Sequence, residues 1–294
     1  MSGIYQFLIV GMMEGGLYAL VGVSIVLVYK STQVASLAHG QLMAFGALFF
    51  YAFYSLLGIP LILALIMTFA AAYLMGLAAE RVAMRPLIGQ PVFAAFLNTF
   101  ALYIILDGVF NIALKGGVVD FPDFLPSGYI KVLGANVPIS QFVSFIVALL
   151  LFGLLAIFFR YTKIGLNMLA TAENHQLAQS TGIRVKQVFS FVWALSALLA
   201  AVAGMAAANV MDISFLLPNM GIKGLTVALF GGLDSIPGAL VGGLVLGILE
   251  NMAAGYIDPL VGGGVKEVAA FAMMLLILLV RPYGLFGQIR IERI

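Results

Sequence analysis

Apolar residues run along this chain in long blocks, and polar positions fall between the blocks or in small clusters inside them. Runs at about 4–29, 34–57, 60–79, 91–113, 139–159, 187–208, 238–254 and 264–280 predict helices, since a membrane-crossing helix needs roughly 20 apolar residues. Pro60, Pro86, Pro91, Pro138, Pro218, Pro237, Pro259 and Pro282 punctuate them. A shorter run at about 221–233 is joined to the next by the Asp-Ser-Ile-Pro-Gly turn at 234–238, and the two predict a broken or re-entrant pair. Non-helical backbone at membrane depth persists only where protein or water satisfies it. The short alternating segments of a membrane β-barrel are absent. The expected fold is all-α, a polytopic α-helical integral membrane protein with about 8–9 hydrophobic segments in one domain over residues 1–294.

Composition agrees with the pattern. Hydrophobic residues make up 63% of the chain and charged residues 9%, against about 45–50% and about 25% in soluble domains. With no cysteine, disulfides and thiolate metal sites are excluded. Residues 4–29 are longer than a secretory signal's apolar region and are expected to stay as the first helix. The net charge of +2 says little, but the placement of Lys and Arg orients the chain. With the N-terminus outside, the inner connections hold Lys30, Arg81, Arg85, Arg160, Lys163, Arg184, Lys186, Arg281, Arg290 and Arg293, and the outer ones only Lys115, Lys131, Lys223 and Lys266. The expected topology is N-out and C-in, with segment 114–138 outside and 160–186 inside. Residues 32–47 and 221–247 are both glycine-rich and interrupted by polar residues, which fits either an inverted repeat or coincidence.

Several residues are out of place in hydrocarbon. In the first helix Gly11, Gly15, Ala19 and Gly22 leave one face smooth, as close helix packing requires. Glu14 on the same helix faces either a cavity or a partner. In "SLAHGQLMAFGA" (36–47), Ser36, His39, Gly40, Met43, Ala44 and Ala47 share one helical face. That face either hydrogen-bonds a neighbouring helix through His39 or borders a route, in which case a bulky residue at Gly40 is expected to block passage without unfolding the helix. Asp107, Glu250 and Asn251 read as hydrogen bonding to backbone. Asp234, at the bend before 238–254, is expected to cap that helix, with path lining as the alternative, and Pro237 to free a carbonyl of the preceding turn. The segment "RYTKIGLNMLATAENHQLAQSTGIRVKQ" (160–187) carries a modest apolar stripe, so it forms either an interfacial helix or a protrusion that a partner grips. No G-x-x-x-x-G-K-[ST] motif occurs, so ATP phosphates are not cradled here, and no catalytic constellation stands out.

Taken in order, "GLYALVGVSIVLVYK" (16–30), "SLAHGQLMAFGA" (36–47), "GLNMLATAENHQLAQSTGI" (165–183), "SALLAAVAG" (196–204), "GGLDSIPGALVGGLVLGILE" (231–250) and "RPYGLFG" (281–287) resemble the permease subunits of bacterial ABC importers for branched-chain amino acids, in particular the shorter of the two paired permeases. Ser36 and Gln41 stand where that family commonly has Asn and Glu, and Glu14 adds a carboxylate. The resemblance implies a multi-pass protein of the bacterial inner membrane that is not an enzyme. Its expected partners are a second permease, two cytoplasmic ATPases that bind the ATP and Mg, a periplasmic binding protein and membrane lipid, with no nucleic acid and no cofactor in this chain. The substrate path is expected to include Glu14, Tyr18, Ser36, His39, Gly40, Gln41 and Met43. ATPase coupling is expected at Leu169, Ala172, Glu173, Ala178 and Gly182, and gating at Gly232, Asp234, Pro237 and Gly238. The solute is a branched-chain amino acid or another small polar molecule such as urea, an amide or an aromatic acid. An ion-coupled carrier or channel, with Glu14, His39 and Asp107 handling protons, is the alternative.

Overall fold

The computed structural model describes residues 2–173, 175–281 and 283–287. Asn174 and the terminal Arg290 and Arg293 lie outside the described residues, as do the side chains of His175 and Gln176. Every apolar run of the sequence folds as a helix over most of its length. The chain runs α1 (Ser2–Thr32), α2 (His39–Tyr51), α3 (Leu61–Ala78), α4 (Val92–Leu114), α5 (Ile139–Tyr161), α6 (Lys163–Glu173), α7 (His175–Ser180), α8 (Val185–Met211), α9 (Met220–Gly231), α10 (Ile236–Tyr256), α11 (Asp258–Val261) and α12 (Val265–Val280). Wide turns extend α2 to Leu56 and α3 to Met84, and a tight turn carries α3 on to Leu87. Six of these are long and apolar enough to cross a membrane: α1, α3 with its extension, α4, α5, α8 and α10.

α1 is the central post. Its 31 residues span about 46 Å at 1.5 Å each, and from Leu17 to Val28 the chain is buried throughout. The small face read from the sequence is its seam with α10: Gly11 lies against Gly247 and Ile248, and Gly15 against Gly243 and Leu244. Backbones approach this closely only where neither helix carries side chains, the usual way helices associate in lipid. α8 is the second buried helix, whereas α3, α4 and α5 leave most of their apolar surface exposed, as lipid-facing or partner-facing helices do.

Contacts fix which ends lie together. Gln6 near the start of α1 exchanges hydrogen bonds with Asn136, and Val119 bridges Ile213 just after α8. At the other end, Lys30 donates to the Asp234 carbonyl in the α9–α10 turn and lies 5.6 Å from the Phe159 ring centre at the end of α5. Segment 115–138 and the chain around Ile213 therefore sit at the face where α1 starts, and α6–α7 and the α9–α10 turn at the opposite face. Segment 115–138 also holds an unexpected antiparallel hairpin, β1 (Tyr129–Val132) with β2 (Ala135–Pro138). Its turn residues Leu133 and Gly134 both have positive φ (49° and 89°), which matches the twist of a two-residue hairpin.

Candidate functional site

The second apolar run does not begin as a helix. Residues 33–38 are irregular, and α2 starts only at His39. Ser36 therefore precedes the helix instead of sharing a face with His39 and Gly40. The irregular backbone is satisfied by protein: Val34 N donates to Thr32 Oγ1, Leu37 N to Thr99 Oγ1 on α4 and Ala38 N to Ser36 Oγ. α9 is likewise a half-helix. Gly224 packs on Val21 and Val227 on Gly22, near the middle of α1, and the helix ends at the level of Lys30. Its 12 residues rise only about 18 Å, so the expected broken pair is a short α9 that turns into a full α10. Gly40 touches the Pro218 carbonyl and Gly221. The N-termini of α2 and α9 thus meet inside the protein.

Beside that junction lies a cavity of about 230 Å³ lined by Ser36, Leu37, Phe100, Tyr103, Gly221, Ile222 and Leu225. Phe100 and Ile222 are exposed, so the cavity opens on the outside of the chain. One of its walls belongs to a polar stripe: Thr99, Tyr103, Asp107 and Asn111 recur every four residues along α4, which keeps them near one face. Asn111 Nδ2 donates to the Asp107 backbone oxygen at 2.9 Å and to its Oδ2 at 3.1 Å, while Gln41 Nε2 reaches Oδ1 at 3.4 Å. The Asp107 carboxylate therefore meets side-chain amides and not the backbone expected of it, and the stripe is an addition to the sequence reading, although its four-residue period is visible there.

The remaining candidate path residues divide. Gly40, Met43, Ala44 and Ala47 form a packed seam: the Met43 carbonyl meets Gly204 and Gly46 meets Ala201 on α8. Gly40 has no room for volume, which corrects the expectation that a bulky residue there leaves the helix intact. His39 is buried and shares a 3.3 Å hydrogen bond with Ser196 on α8, the neighbouring-helix partner considered above. Glu14 and Tyr18 face α10, away from the cavity. Lys266 Nζ reaches both Glu14 oxygens, at 3.0 and 2.9 Å, and Asn251 also donates to Glu14. One turn on, Tyr18 donates to buried Glu250 at 2.7 Å, and Lys223 Nζ completes the pair at 2.8 Å. Glu250 is therefore paired to side chains, not to backbone. A second buried acid, Glu80, holds Arg85 at 2.9 Å and Ser190 at 2.8 Å.

At the opposite face, α6 packs its Gly165 on Phe158 and Phe159. Ala178 is buried against Val185 and Phe189, Leu169 and Ala172 are half-buried, and Glu173, Leu177 and Gly182 are exposed. Ala172 and Glu173 also wall a cavity of about 430 Å³ with Thr32, Val34, Met84, Val92 and Trp193. In the α9–α10 turn, the Ser235 hydroxyl and not Asp234 caps α10, accepting from Gly238 N at 3.0 Å. Pro237 sits in the first turn of α10, where no N–H is needed, so it frees no carbonyl. Gly231 abuts Gly238, and Gly232 (φ 106°) abuts Gly287, with Leu285 and Phe286 donating to the Phe230 and Gly231 carbonyls.

Comparison with known proteins gives this geometry a context. A family model described as the branched-chain amino acid transport system permease component matches residues 7–280. The chain is 29% identical over 300 residues to the high-affinity branched-chain amino acid transport system permease protein LivH of Escherichia coli, covering 97% of this chain and 96% of that one. It is 29% identical over 307 residues to the permease protein BraD of Pseudomonas aeruginosa, covering 98% and 97%. It is 31% identical over 288 residues to the probable LivH permease of Methanocaldococcus jannaschii, covering 92% and 89%.

Proposed function

Because the chain belongs to the branched-chain amino acid transport system permease family, we propose that it is one of two permeases in a binding-protein-dependent importer that carries a small amino acid inward on ATP hydrolysed by separate subunits. The observation that carries the reading is the pair α2 and α9, whose N-termini meet inside the protein beside a cavity open on the outside of the chain. Its 230 Å³ is less than the roughly 300–1,000 Å³ of a closed ligand pocket, which suits half a site completed by a second permease. Helix N-termini favour negative charge, so the Ser36–Gly221 corner suits the carboxylate of an amino acid.

The route enters along Asn111 and Asp107 of the α4 stripe and continues from this cavity past Thr99 and residues 33–37 to the one walled by Thr32, Val34 and Val92. With N-out topology, 115–138 receives the binding protein and the exposed tip of α6–α7, around Glu173 and Leu177, enters the ATPase. Glu14 and Tyr18 then hold α1, α9, α10 and α12 together beside the route, and the Gly232–Gly238 turn lets α9 pivot on α10. The test is uptake of labelled L-leucine into proteoliposomes containing this permease, its partner permease, the ATPases and the binding protein. Uptake that needs ATP and survives a proton uncoupler supports the reading. Uptake driven by a proton gradient without ATP refutes it in favour of an ion-coupled carrier.

A further inference from the structure

Four carboxylates lie within the six long helices: Glu14, Glu80, Asp107 and Glu250. Three hold a cation at 2.8 to 2.9 Å, namely Lys266, Arg85 and Lys223. Asp107 differs. It is half-buried, and the side chains that reach it are the neutral amides of Gln41 and Asn111. No ion pair among the described residues includes it. Carboxylates at membrane depth pair with a charge or border a water-filled path, and amide donors alone do not cancel the charge in low dielectric.

The neighbouring Gln41 is short of something as well. It is fully buried, its Nε2 is turned to Asp107, and its Oε1 has no hydrogen-bond partner. An acceptor without a donor thus sits on the same amide that touches an acid without a cation. A primary ammonium answers both, having three N–H donors and no acceptor. Asp107 is one helical turn, about 6 Å along the axis, from Tyr103 at the cavity wall. We infer that Asp107, with the Gln41 amide oxygen, is the transit site for the α-ammonium group of the transported amino acid. The inference rests on the functional reading above and adds to it the residue that distinguishes a zwitterionic amino acid from a neutral amide.

The substitution Asp107→Asn removes the charge at nearly constant shape, keeps one oxygen to accept from Asn111 and turns an amide NH2 toward Gln41. In the complete complex in proteoliposomes, L-leucine import should then fall roughly 10- to 100-fold, the loss expected of one charged hydrogen bond. The thermal midpoint of the assembled complex should hold, and Asp107→Glu should restore most of the rate. If Asp107→Asn imports L-leucine as fast as the unsubstituted protein, the residue only positions Gln41 and the inference is overturned. If replacing sodium by choline slows the unsubstituted complex as much as Asp107→Asn does, the site takes an inorganic cation and the ammonium assignment is overturned. If the unsubstituted complex imports urea and no primary amine, the functional reading falls together with the inference.

Discussion

Substituting Gly15 by alanine probes the α1–α10 seam on which the rest of the bundle is assembled. A Cβ there would lie 2.6 Å from the Gly243 carbonyl oxygen and 2.8 Å from Leu244 Cα, where ordinary contact begins at 3.4 Å. The two backbones must part by 3.4 − 2.6 = 0.8 Å, because neither neighbour is a side chain that can swing aside. Overpacking of this kind costs about 1–3 kcal/mol, and alanine returns up to about 1 kcal/mol through helix propensity. A gap of roughly 0.5–1 Å also forfeits a quarter to a half of each dispersion contact along the seam, which puts the cost at the upper end. The net loss is about 2 kcal/mol, on the order of a thirtyfold change in the folded-to-unfolded ratio. Gly153→Ala on α5 is the control, because nothing lies within 4 Å of its added Cβ. Thermal unfolding of the purified complex in detergent, followed by size-exclusion chromatography, should show a lower midpoint for Gly15→Ala and an unchanged or higher one for Gly153→Ala. Equal midpoints for the two variants would refute the backbone seam.

Gly40→Leu should prevent assembly, since its side chain would enter the Pro218–Gly221 backbone; an assembled but transport-dead complex on size-exclusion chromatography would contradict this packing. Glu250→Gln should destabilise by about 3–5 kcal/mol, because Lys223 loses its carboxylate inside the protein. Adding Lys223→Met should recover most of that in the same thermal assay, and an undisturbed single variant would show the pair to be idle. A cysteine at Leu177, 66% exposed, should react with a water-soluble maleimide in the isolated permease and be shielded in the complete complex, while one at Ala178, 4% exposed, should be unreactive in both. Equal labelling of Leu177→Cys in the two states would exclude this tip from the ATPase contact. A reporter fused after Gly128 should read as external and one after Thr181 as cytoplasmic; the reverse would invert the topology.

Hydropathy in one dimension was enough to place the six long helices, because the free energy of leaving water depends on the residues in a run and hardly on their neighbours. The small face of Gly11, Gly15 and Ala19 was legible for a similar reason: closely spaced glycines in an apolar helix have few uses besides letting backbones touch. The hairpin at 129–138 escaped notice since two four-residue strands give a weak periodic signal beside runs of twenty apolar residues. The start of α2 at His39 was hidden too, as "VASL" is apolar enough to read as helix until Thr99 and Ser36 are seen taking its N–H groups.

Partners across the chain were beyond the sequence. Glu14 and Lys266 are 252 positions apart, and Tyr18 and Glu250 are 232 apart, so Glu14, the acid that looked most like a path residue, is one that folding pairs off. Asp107, read from the sequence as bonding to backbone, is the one of the four carboxylates described in the long helices that meets amides alone. By itself the sequence determined that this is a helical membrane protein and where its smooth helix face lies, since solvation and close packing are local properties. Which charges are neutralised, and which polar edge faces an open cavity, was decided only by the tertiary structure, because pairing depends on which helices meet and at what depth.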